Sequence, residues 1–514
     1  MPTLGFLIDN RKCIGCHACT IACKSEHQVP LGVDRTWVKY VEKGEFPHNR
    51  RLFTVMRCNH CDQAPCVTIC PVASLYRRDD GVVDFHSDRC IGCKACMQAC
   101  PYDALHIDPL SGTAAKCNFC THRLEAGLEP SCVVVCPEQA IVCGDLDEAE
   151  SSLSRLIERH PVQVRKPEKG TRPKLFYIDA DEAALIPGRA LRAAHTMWSR
   201  FAPPADTAEQ PPPPSNNISG ARAAPTGVTR PQRVYDVRPR SVAWGWPVVA
   251  YTWTKSIAAG SVLAVAAARW LANPFQAERI APAMSVVAML FLLVTTALLI
   301  GDLKQPRRFL YVLLRPQWKS WLVRGAYFLT AFGAVTTFWT VAVWSGRAGP
   351  AWWLSWLATA LAVPTAVYTA FLFAQAKGRD FWQSPLLGVH FLVHALLAAG
   401  ALWVLIGAAH PQVSLRPPTQ WTITLLAFSL ATVVMELLTI HPTQDAKAAL
   451  KRIVGRPYGI WFWGVGVGIG HLLPLVLLAG SAPLLAPLAA LAVLVGLLAL
   501  EGVWVIAPQQ IPLS

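Results

Sequence analysis

The chain has 514 residues, of which 53% are hydrophobic and 16% are charged, and its formal net charge is +14. Soluble domains carry about 25% charged residues, so this composition excludes an ordinary soluble enzyme. All 17 cysteines lie between Cys13 and Cys143, whereas 17 of the 19 tryptophans lie at or after Trp244. The chain therefore joins a polar, cysteine-dense module to an apolar, tryptophan-rich module.

The first residues reach Cys13 without a long apolar run or a twin-arginine motif. We therefore expect no export signal on this chain. The cysteine-dense module would then fold in a reducing cytosol. In that compartment, dense cysteine favours metal or redox chemistry over a disulfide framework.

Sixteen of the cysteines form four groups of four. The first and third groups have the spacing C-x2-C-x2-C-x3-C, the second has C-x2-C-x4-C-x3-C, and the fourth has C-x2-C-x11-C-x3-C. In chain order the groups are Cys13, Cys16, Cys19 and Cys23; Cys58, Cys61, Cys66 and Cys70; Cys90, Cys93, Cys96 and Cys100; Cys117, Cys120, Cys132 and Cys136. Three closely spaced thiolates can bind three corners of an iron-sulfur cubane, while the fourth points toward another cluster.

The first and third groups also share a longer repeat, in which Cys-Ile-Gly-Cys-x-Ala-Cys-x-x-Ala-Cys occurs at 13–23 and at 90–100. Such a repeat indicates a duplicated ferredoxin unit. Zinc ribbons, which also use C-x2-C pairs, are the alternative, but they do not require a third close cysteine and a proline after the fourth. Cys143 is left over, and we interpret it as a small buried hydrophobic residue.

On these motifs, residues 1 to about 195 resemble the four-cluster iron-sulfur subunit of the dimethyl sulfoxide reductase superfamily of molybdopterin enzymes. Because all sixteen cysteines are present, the resemblance implies four [4Fe-4S] clusters. It also implies that the first and fourth groups share two clusters and that the second and third groups share the other two. The implied ligand sets are set 1, Cys13, Cys16, Cys19 and Cys136; set 2, Cys117, Cys120, Cys132 and Cys23; set 3, Cys90, Cys93, Cys96 and Cys70; and set 4, Cys58, Cys61, Cys66 and Cys100.

A proline-rich stretch separates the two modules. Residues 201–243 contain four consecutive prolines and no apolar run, so we interpret them as a flexible linker between an iron-sulfur domain at 1–200 and a membrane domain at 244–514. Eight apolar runs follow, each near the roughly 20 residues that a membrane-spanning helix needs. The predicted spans are 247–271, 282–302, 322–344, 351–375, 385–408, 421–440, 460–480 and 483–507.

Basic residues are distributed unevenly between the two sides of these spans. An even number of spans places both termini on one side, which carries twelve Lys and Arg residues in loops and span ends, against four on the other side. The positive-inside rule therefore predicts that the iron-sulfur domain and both termini face the cytoplasm. Since the loops and linker explain most of the net charge, we expect no nucleic-acid partner.

Ionisable residues inside the spans are costly and are commonly functional. One interpretation is a quinone site, where an acid, a Lys or a His supplies hydrogen bonds and protons to a quinone carbonyl. A second is a b-type haem ligated by His394 and His471, and a third is that several of these side chains reach the membrane surface. The residues concerned are Lys255, Asp302, His390, His394, Glu436, His471 and Glu501.

The segment 301–309, with the sequence GDLKQPRRF, resembles the signature of the NrfD and polysulfide-reductase membrane-subunit family. Phe381-Trp382-Gln383-Ser384-Pro385 and Phe462-Trp463 fit the same family. The resemblance implies a membrane domain without haem that binds quinone among its first helices, on the side of its iron-sulfur partner. We expect Tyr251, Lys255 and Asp302 to contact the quinone.

The expected fold is an α+β ferredoxin-like domain with four clusters, followed by an all-α membrane domain of eight transmembrane helices in the lipid bilayer. No pterin-binding constellation is recognised, so a separate molybdopterin-containing catalytic subunit is the expected partner. Electrons would pass between that subunit and the quinone pool. A cytoplasmic iron-sulfur domain favours sulfite-type oxidation. Quinol-driven reduction of a sulfur compound such as polysulfide, thiosulfate or dimethyl sulfoxide is the alternative, as is an anchor for a hydrogenase.

Overall fold

A computed structural model describes residues 2–45, 47–192, 230–237, 242–480 and 485–514. Most of the predicted linker, at 201–229 and 238–241, lies outside the described residues. Within it, Gln232–Tyr235 forms a strand that pairs with the N-terminal domain. The strands are β1 (Leu4–Asp9), β2 (Thr36–Lys43), β3 (Arg50–Arg57), β4 (Leu75–Arg77), β5 (Val83–Phe85), β6 (His106–Ile107), β7 (Ala114–Ala115), β8 (Ile141–Asp145), β9 (Val162–Gln163), β10 (Leu175–Ile178), β11 (Leu191–Arg192) and β12 (Gln232–Tyr235).

Two four-stranded sheets form the frame of the N-terminal domain, with the strand orders β8-β1-β10-β9 and β11-β12-β2-β3. Strand β1 lies in the interior of its sheet, where Phe6, Leu7 and Ile8 are fully buried. Short helices connect the strands. These helices are α1 (Ala18–His27), α2 (Pro65–Ile69), α3 (Ala95–Ala99), α4 (Thr121–Leu124), α5 (Ser131–Val134), α6 (Ser152–Arg159) and α7 (Glu182–Leu185). Four of them, α1, α2, α3 and α5, carry cysteines. The predicted ferredoxin-like α+β domain is confirmed.

The C-terminal domain is helical, and eight helices of the described part are long and apolar enough to cross a membrane. This number agrees with the prediction. The spans are α8 (Trp246–Leu271), α9 (Pro274–Gly301), α11 (Trp321–Trp344), α12 (Ala348–Gln375), α13 (Leu387–Ala408), α14 (Arg416–Leu438), a π-helical segment (Ile460–Leu472) continued by α16 (Leu473–Ala479), and α17 (Ala486–Ile506). Two further helices, α10 (Tyr311–Leu314) and α15 (Gln444–Val454), lie in the connections.

The second span begins at Pro274 rather than at the predicted residue 282. Pro282 lies inside this helix, although proline cannot donate a backbone hydrogen bond. The Ser285 hydroxyl donates to the Pro282 carbonyl oxygen at 2.8 Å, and membrane helices use such side-chain bonds to satisfy backbone groups near a proline. Proline was therefore a poor marker of this helix boundary.

Helices α8 and α13 form the centre of the membrane domain, with 89% and 72% of their most apolar windows buried, against 28% for α9 and α11. Small side chains allow this close packing. A Cβ atom added to Gly260 on α8 would stand only 2.8 Å from the carbonyl oxygen of Ala395 on α13. Membrane helices associate closely where small residues face each other. The predicted residue Lys255 therefore lies on the most buried helix of the domain.

Candidate functional site

The repeated cysteine motif has the same backbone geometry in both copies. Gly15 and Gly92 have φ angles of 73° and 69°, and the N-cap residues His17 and Lys94 both have φ 62°. Left-handed backbone at these positions turns the chain tightly, first between the first and second cysteines at the glycine and then between the second and third at the N-cap residue. Each pair of turns leads directly into a short helix, α1 or α3, which carries the third cysteine of the motif.

The thiols approach one another in four sets that combine distant parts of the chain. Set 1, comprising Cys13, Cys16, Cys19 and Cys136, lines one small cavity. In set 2, Cys23 lies beside Cys117, Cys120 and Cys132. In set 3, Cys93 lies beside Cys70 and Cys90, and Cys96 beside the same residues. In set 4, Cys66 lies beside Cys58, Cys61 and Cys100.

The seventeen cysteines are all free thiols, and most of them are buried. Burial raises the pKa of both the Cys19 and Cys23 thiols to about 12, because a buried thiolate loses its hydration. Such thiols release their protons only when a cation compensates the negative charge. This donor chemistry fits a metal-sulfur cluster, which is bound by thiolates.

The four sets do not have the geometry of a single-ion site. Among the described residues, no three Cys, His, Asp or Glu side chains converge closely enough to hold one metal ion. A zinc site requires four ligands, each about 2.0–2.3 Å from the ion. The four thiols of each set are therefore less tightly grouped than the ligands of one zinc ion.

Set 3 lies against the membrane domain. The Trp244 indole donates a hydrogen bond to the carbonyl oxygen of Cys93 at 3.0 Å, and Arg308 donates to that of Cys90 at 3.0 Å. A Cβ atom on Gly92 would stand 2.6 Å from the Cβ of Lys304, so glycine permits this close approach. The third cysteine motif is therefore in direct contact with the membrane domain.

A second group of contacts joins the domains through the end of the chain. The Gln98 amide donates to Gln509 Oε1 at 2.6 Å, and the Gln509 amide donates to the Trp244 carbonyl oxygen at 2.7 Å. Arg165, which is fully buried, donates to the Leu513 carbonyl oxygen at 3.0 Å. Residues after the last span thus connect the iron-sulfur domain to the first membrane helix.

Beneath set 3 lies a cavity of about 420 Å³. Its walls come from helices α8, α9, α11 and α12 and from the connection between α9 and α11, and they are mostly aliphatic. Cys93 lines this cavity, and it is the one cysteine that does so in the part of the chain that the structure describes. Polar groups are supplied by Tyr251, Asp302 and Tyr368. This is the usual composition of a small-molecule pocket, which is largely apolar with a few placed polar groups.

Two of the three predicted quinone contacts line this cavity. Tyr251 and Asp302 are among its walls, whereas Lys255 is not. The Lys255 ammonium donates to the Ala366 carbonyl oxygen and to the Thr369 hydroxyl, both at 2.7 Å, and stands 4.8 Å from the centre of the Tyr368 ring. Lys255 therefore lies one layer behind the wall. Tyr368 lines the cavity but was not predicted, because it stands in an apolar run and carries no charge.

Asp302 also connects the two domains. Its carboxylate accepts a hydrogen bond from the Lys94 ammonium at 2.8 Å, and both side chains are largely buried. Lys94 lies in the third cysteine motif, between Cys93 and Cys96. The cavity wall and the set 3 loop are thus held together by one ion pair.

The other ionisable residues of the spans lie elsewhere in the helical bundle. His394 Nδ1 contacts Glu501 at 3.3 Å, and Glu436 accepts from Ser384 at 2.7 Å. His471 contacts the Ser429 hydroxyl through Nε2 and the Gly466 carbonyl oxygen through Nδ1. Both ring nitrogens of His471 are therefore engaged in hydrogen bonds within the bundle.

Fold and site together define an iron-sulfur electron-transfer domain joined to a polytopic membrane domain. The family described as polysulphide reductase, NrfD, matches residues 237–512, which is more than half of the chain. A 4Fe-4S dicluster domain matches residues 50–146, and a 4Fe-4S binding domain matches residues 11–28. The chain belongs to the NrfD polysulphide reductase family and carries an iron-sulfur domain at its N-terminal side. It is a multi-pass membrane protein.

Several relatives match about a third of this chain. A tetrathionate reductase subunit of Salmonella typhimurium is 44% identical over 196 residues, covering 37% of this chain and 78% of that protein. A polysulfide reductase subunit of Wolinella succinogenes is 40% identical over 179 residues, covering 34% and 93%. The arsenate respiratory reductase iron-sulfur subunit of a Shewanella species is 35% identical over 223 residues, covering 34% and 95%. The present chain continues beyond this region into the NrfD domain.

Proposed function

We propose that this chain carries electrons between a separate molybdopterin-containing catalytic subunit and the membrane quinone pool, through four [4Fe-4S] clusters. The observation that carries the proposal is the cavity beneath set 3. Cys93, a proposed ligand of the set 3 cluster, lines the same cavity as Tyr251 and Asp302. An electron carrier and a membrane cavity therefore meet without an intervening protein layer.

The arrangement of the sixteen thiols supports four clusters. Each set combines three cysteines that are close in sequence with one from a distant motif, which is the exchange of the fourth ligand known from two-cluster ferredoxins. Bound clusters would supply one-electron transfer, and the protein would supply thiolate ligands and a mostly buried environment.

The chemistry of the cavity supports a quinone as its occupant. A quinone has an apolar ring and tail, which the aliphatic walls would bury, and two carbonyl oxygens that accept hydrogen bonds. Tyr251 and Tyr368 are among the residues of the wall, and their hydroxyls would donate to these oxygens. Lys255 holds Thr369 and stands against the Tyr368 ring, so its role would be to position this side of the wall. Bound quinone would supply the two-electron, two-proton exchange with the membrane pool.

The first test is metal and cofactor analysis of the complex, purified anaerobically in mild detergent. We expect about sixteen irons per chain, four for each cubane, together with molybdenum in a co-purifying large subunit and no haem. Nickel in place of molybdenum would indicate a hydrogenase partner. Zinc at about four per chain would contradict the cluster assignment, because zinc ribbons bind one ion per four cysteines.

The side of the membrane is part of the proposal, with the iron-sulfur domain in the cytoplasm. Arg416, the first residue of α14, and Lys447, on α15 beyond the other end of α14, are both exposed. In intact cells, a membrane-impermeant thiol reagent should label Arg416→Cys and should label Lys447→Cys only after permeabilisation. The unaltered chain, with its own 17 cysteines, gives the background labelling in each condition. The reverse labelling pattern would place the iron-sulfur domain outside the cytoplasm.

Two specific observations favour different reactions at the catalytic partner. The excess of basic residues on the side of the iron-sulfur domain supports a cytoplasmic complex and sulfite-type oxidation. The names of the relatives, which include reductases for tetrathionate, polysulfide and arsenate, favour quinol-driven reduction instead. Assays of the purified complex with sulfite plus quinone, and with tetrathionate or polysulfide plus quinol, separate these two directions.

A further inference from the structure

Arg57 is a cation buried beside thiol sulfurs. It is the last residue of β3 and is 1% exposed. Its Nη2 atom donates to the sulfur of Cys132 at 3.0 Å and to that of Cys117 at 3.6 Å. Both sulfurs belong to set 2, so the guanidinium lies directly against one of the four sets.

The surroundings of Arg57 hold the guanidinium in place without neutralising it. The Phe6 ring lies 3.8 Å from the guanidinium carbon, and Phe119 stacks on the other side of Phe6. The Nε and Nη1 atoms have no hydrogen-bond partner among the described residues. Burying a cation is expensive unless an opposite charge accompanies it. The polar contacts present are to sulfur, so the compensating charge must come from set 2 itself.

We propose that Arg57 raises the reduction potential of the cluster held by set 2. An electron within the chain of clusters would therefore preferentially occupy that cluster. This inference rests on the proposed function, because it requires four bound clusters.

The physical reason is the charge added on reduction. One electron, taken from quinol or from the catalytic partner, adds one negative charge to the cluster and its four thiolates. A fixed guanidinium in contact with two of those sulfurs stabilises the reduced form more than the oxidised form. Cluster potentials depend on net charge, hydrogen bonds to sulfur and exposure, and Arg57 changes the first two at set 2. Arginine remains protonated throughout the physiological pH range.

The test is a redox titration of the intact complex, with dithionite as reductant and electron paramagnetic resonance as readout. In Arg57→Gln, one midpoint potential should fall and the other three should stay close to those of the parent. At the parent midpoint of that cluster, the ratio of reduced to oxidised cluster should drop at least tenfold, which is 59 mV for one electron. Arg57→Lys, which keeps the charge, should show a smaller fall.

Arg165 provides the matched control. It is also 1% exposed, but it donates to backbone carbonyl oxygens, including that of Leu513, rather than to sulfur. Arg165→Gln should leave all four potentials unchanged. Unchanged potentials in Arg57→Gln with full iron content would overturn the inference while leaving the proposed function intact. A parent complex without reversible cluster signals would overturn the proposed function instead.

A measurement on the unaltered chain covers the case in which Arg57→Gln does not assemble. Arginine labelled with 15N in the guanidinium should give a nitrogen hyperfine coupling to one reduced cluster, because Arg57 contacts the sulfur atoms of set 2. Absence of this coupling from every reduced cluster would contradict the inference.

Discussion

Cys93→Ser is expected to abolish electron exchange between the complex and quinone, with loss of about four of the sixteen irons per chain. Iron-sulfur clusters bind soft thiolate ligands, and the harder oxygen of a serine is therefore a poor replacement for Cys93. Cys93 is also the cysteine that lines the membrane cavity. Removing the set 3 cluster therefore disconnects the other three sets from the membrane. The measurements are iron content and quinone-linked turnover.

Two controls separate this effect from general damage. Cys143 lies on β8 opposite Phe6 of β1 and belongs to none of the four sets, so Cys143→Ser should retain full iron and full activity. The catalytic partner of the Cys93→Ser complex should still react with a soluble dye that accepts electrons before set 3. Normal quinone-linked turnover in Cys93→Ser with the iron lost would show that electrons reach the membrane by another route.

Thr296→Trp is expected to fill the cavity and lower kcat/KM for quinone at least tenfold. Thr296 lies in the cavity wall on α9, and an indole there would occupy space that the quinone ring needs. A tenfold loss corresponds to about 1.4 kcal/mol of transition-state stabilisation. The measurement is steady-state turnover over a range of quinone concentrations, with the iron content determined on the same samples.

Leu290→Trp is the matched control for this prediction. Leu290 lies on the same helix, is 54% exposed, and does not line the cavity. The same added volume should therefore leave turnover unchanged, and reduction of the clusters by dithionite should be normal in both variants. Equal losses in both variants would indicate that the helix, not the cavity, is what the tryptophan disturbs.

The sequence was most informative where the ligands of one site are close along the chain. The spacing of Cys90, Cys93 and Cys96 alone indicates a cluster motif, because a turn and a short helix bring these thiols together locally. The eight spans could also be predicted from the sequence, because length and hydropathy identify a membrane-spanning helix. Their boundaries were harder to predict, since the second span was placed at 282–302 and α9 begins eight residues earlier, at Pro274.

The membrane cavity depends on how four helices pack, and sequence reasoning reached it only in part. Tyr251 and Asp302, which were predicted to contact quinone, line the cavity, and their contact with quinone is still a prediction. Lys255 was selected because a charge inside a span is costly, but its partners on α12 place it behind Tyr368. Arg57 was not predicted to have a role. Its position next to Cys58 in the sequence does not reveal that its side chain reaches Cys132 and Cys117.

The contacts made by Gln509 and Leu513 also bear on how the helical bundle is held together. These two residues follow the eighth span in the sequence, yet they bind Gln98 and Arg165 of the domain that precedes the first span. Gln509 also donates to the carbonyl oxygen of Trp244, just before α8. The first and the last span are therefore fastened to each other through the N-terminal domain, and separation of the two domains would release both ends of the bundle.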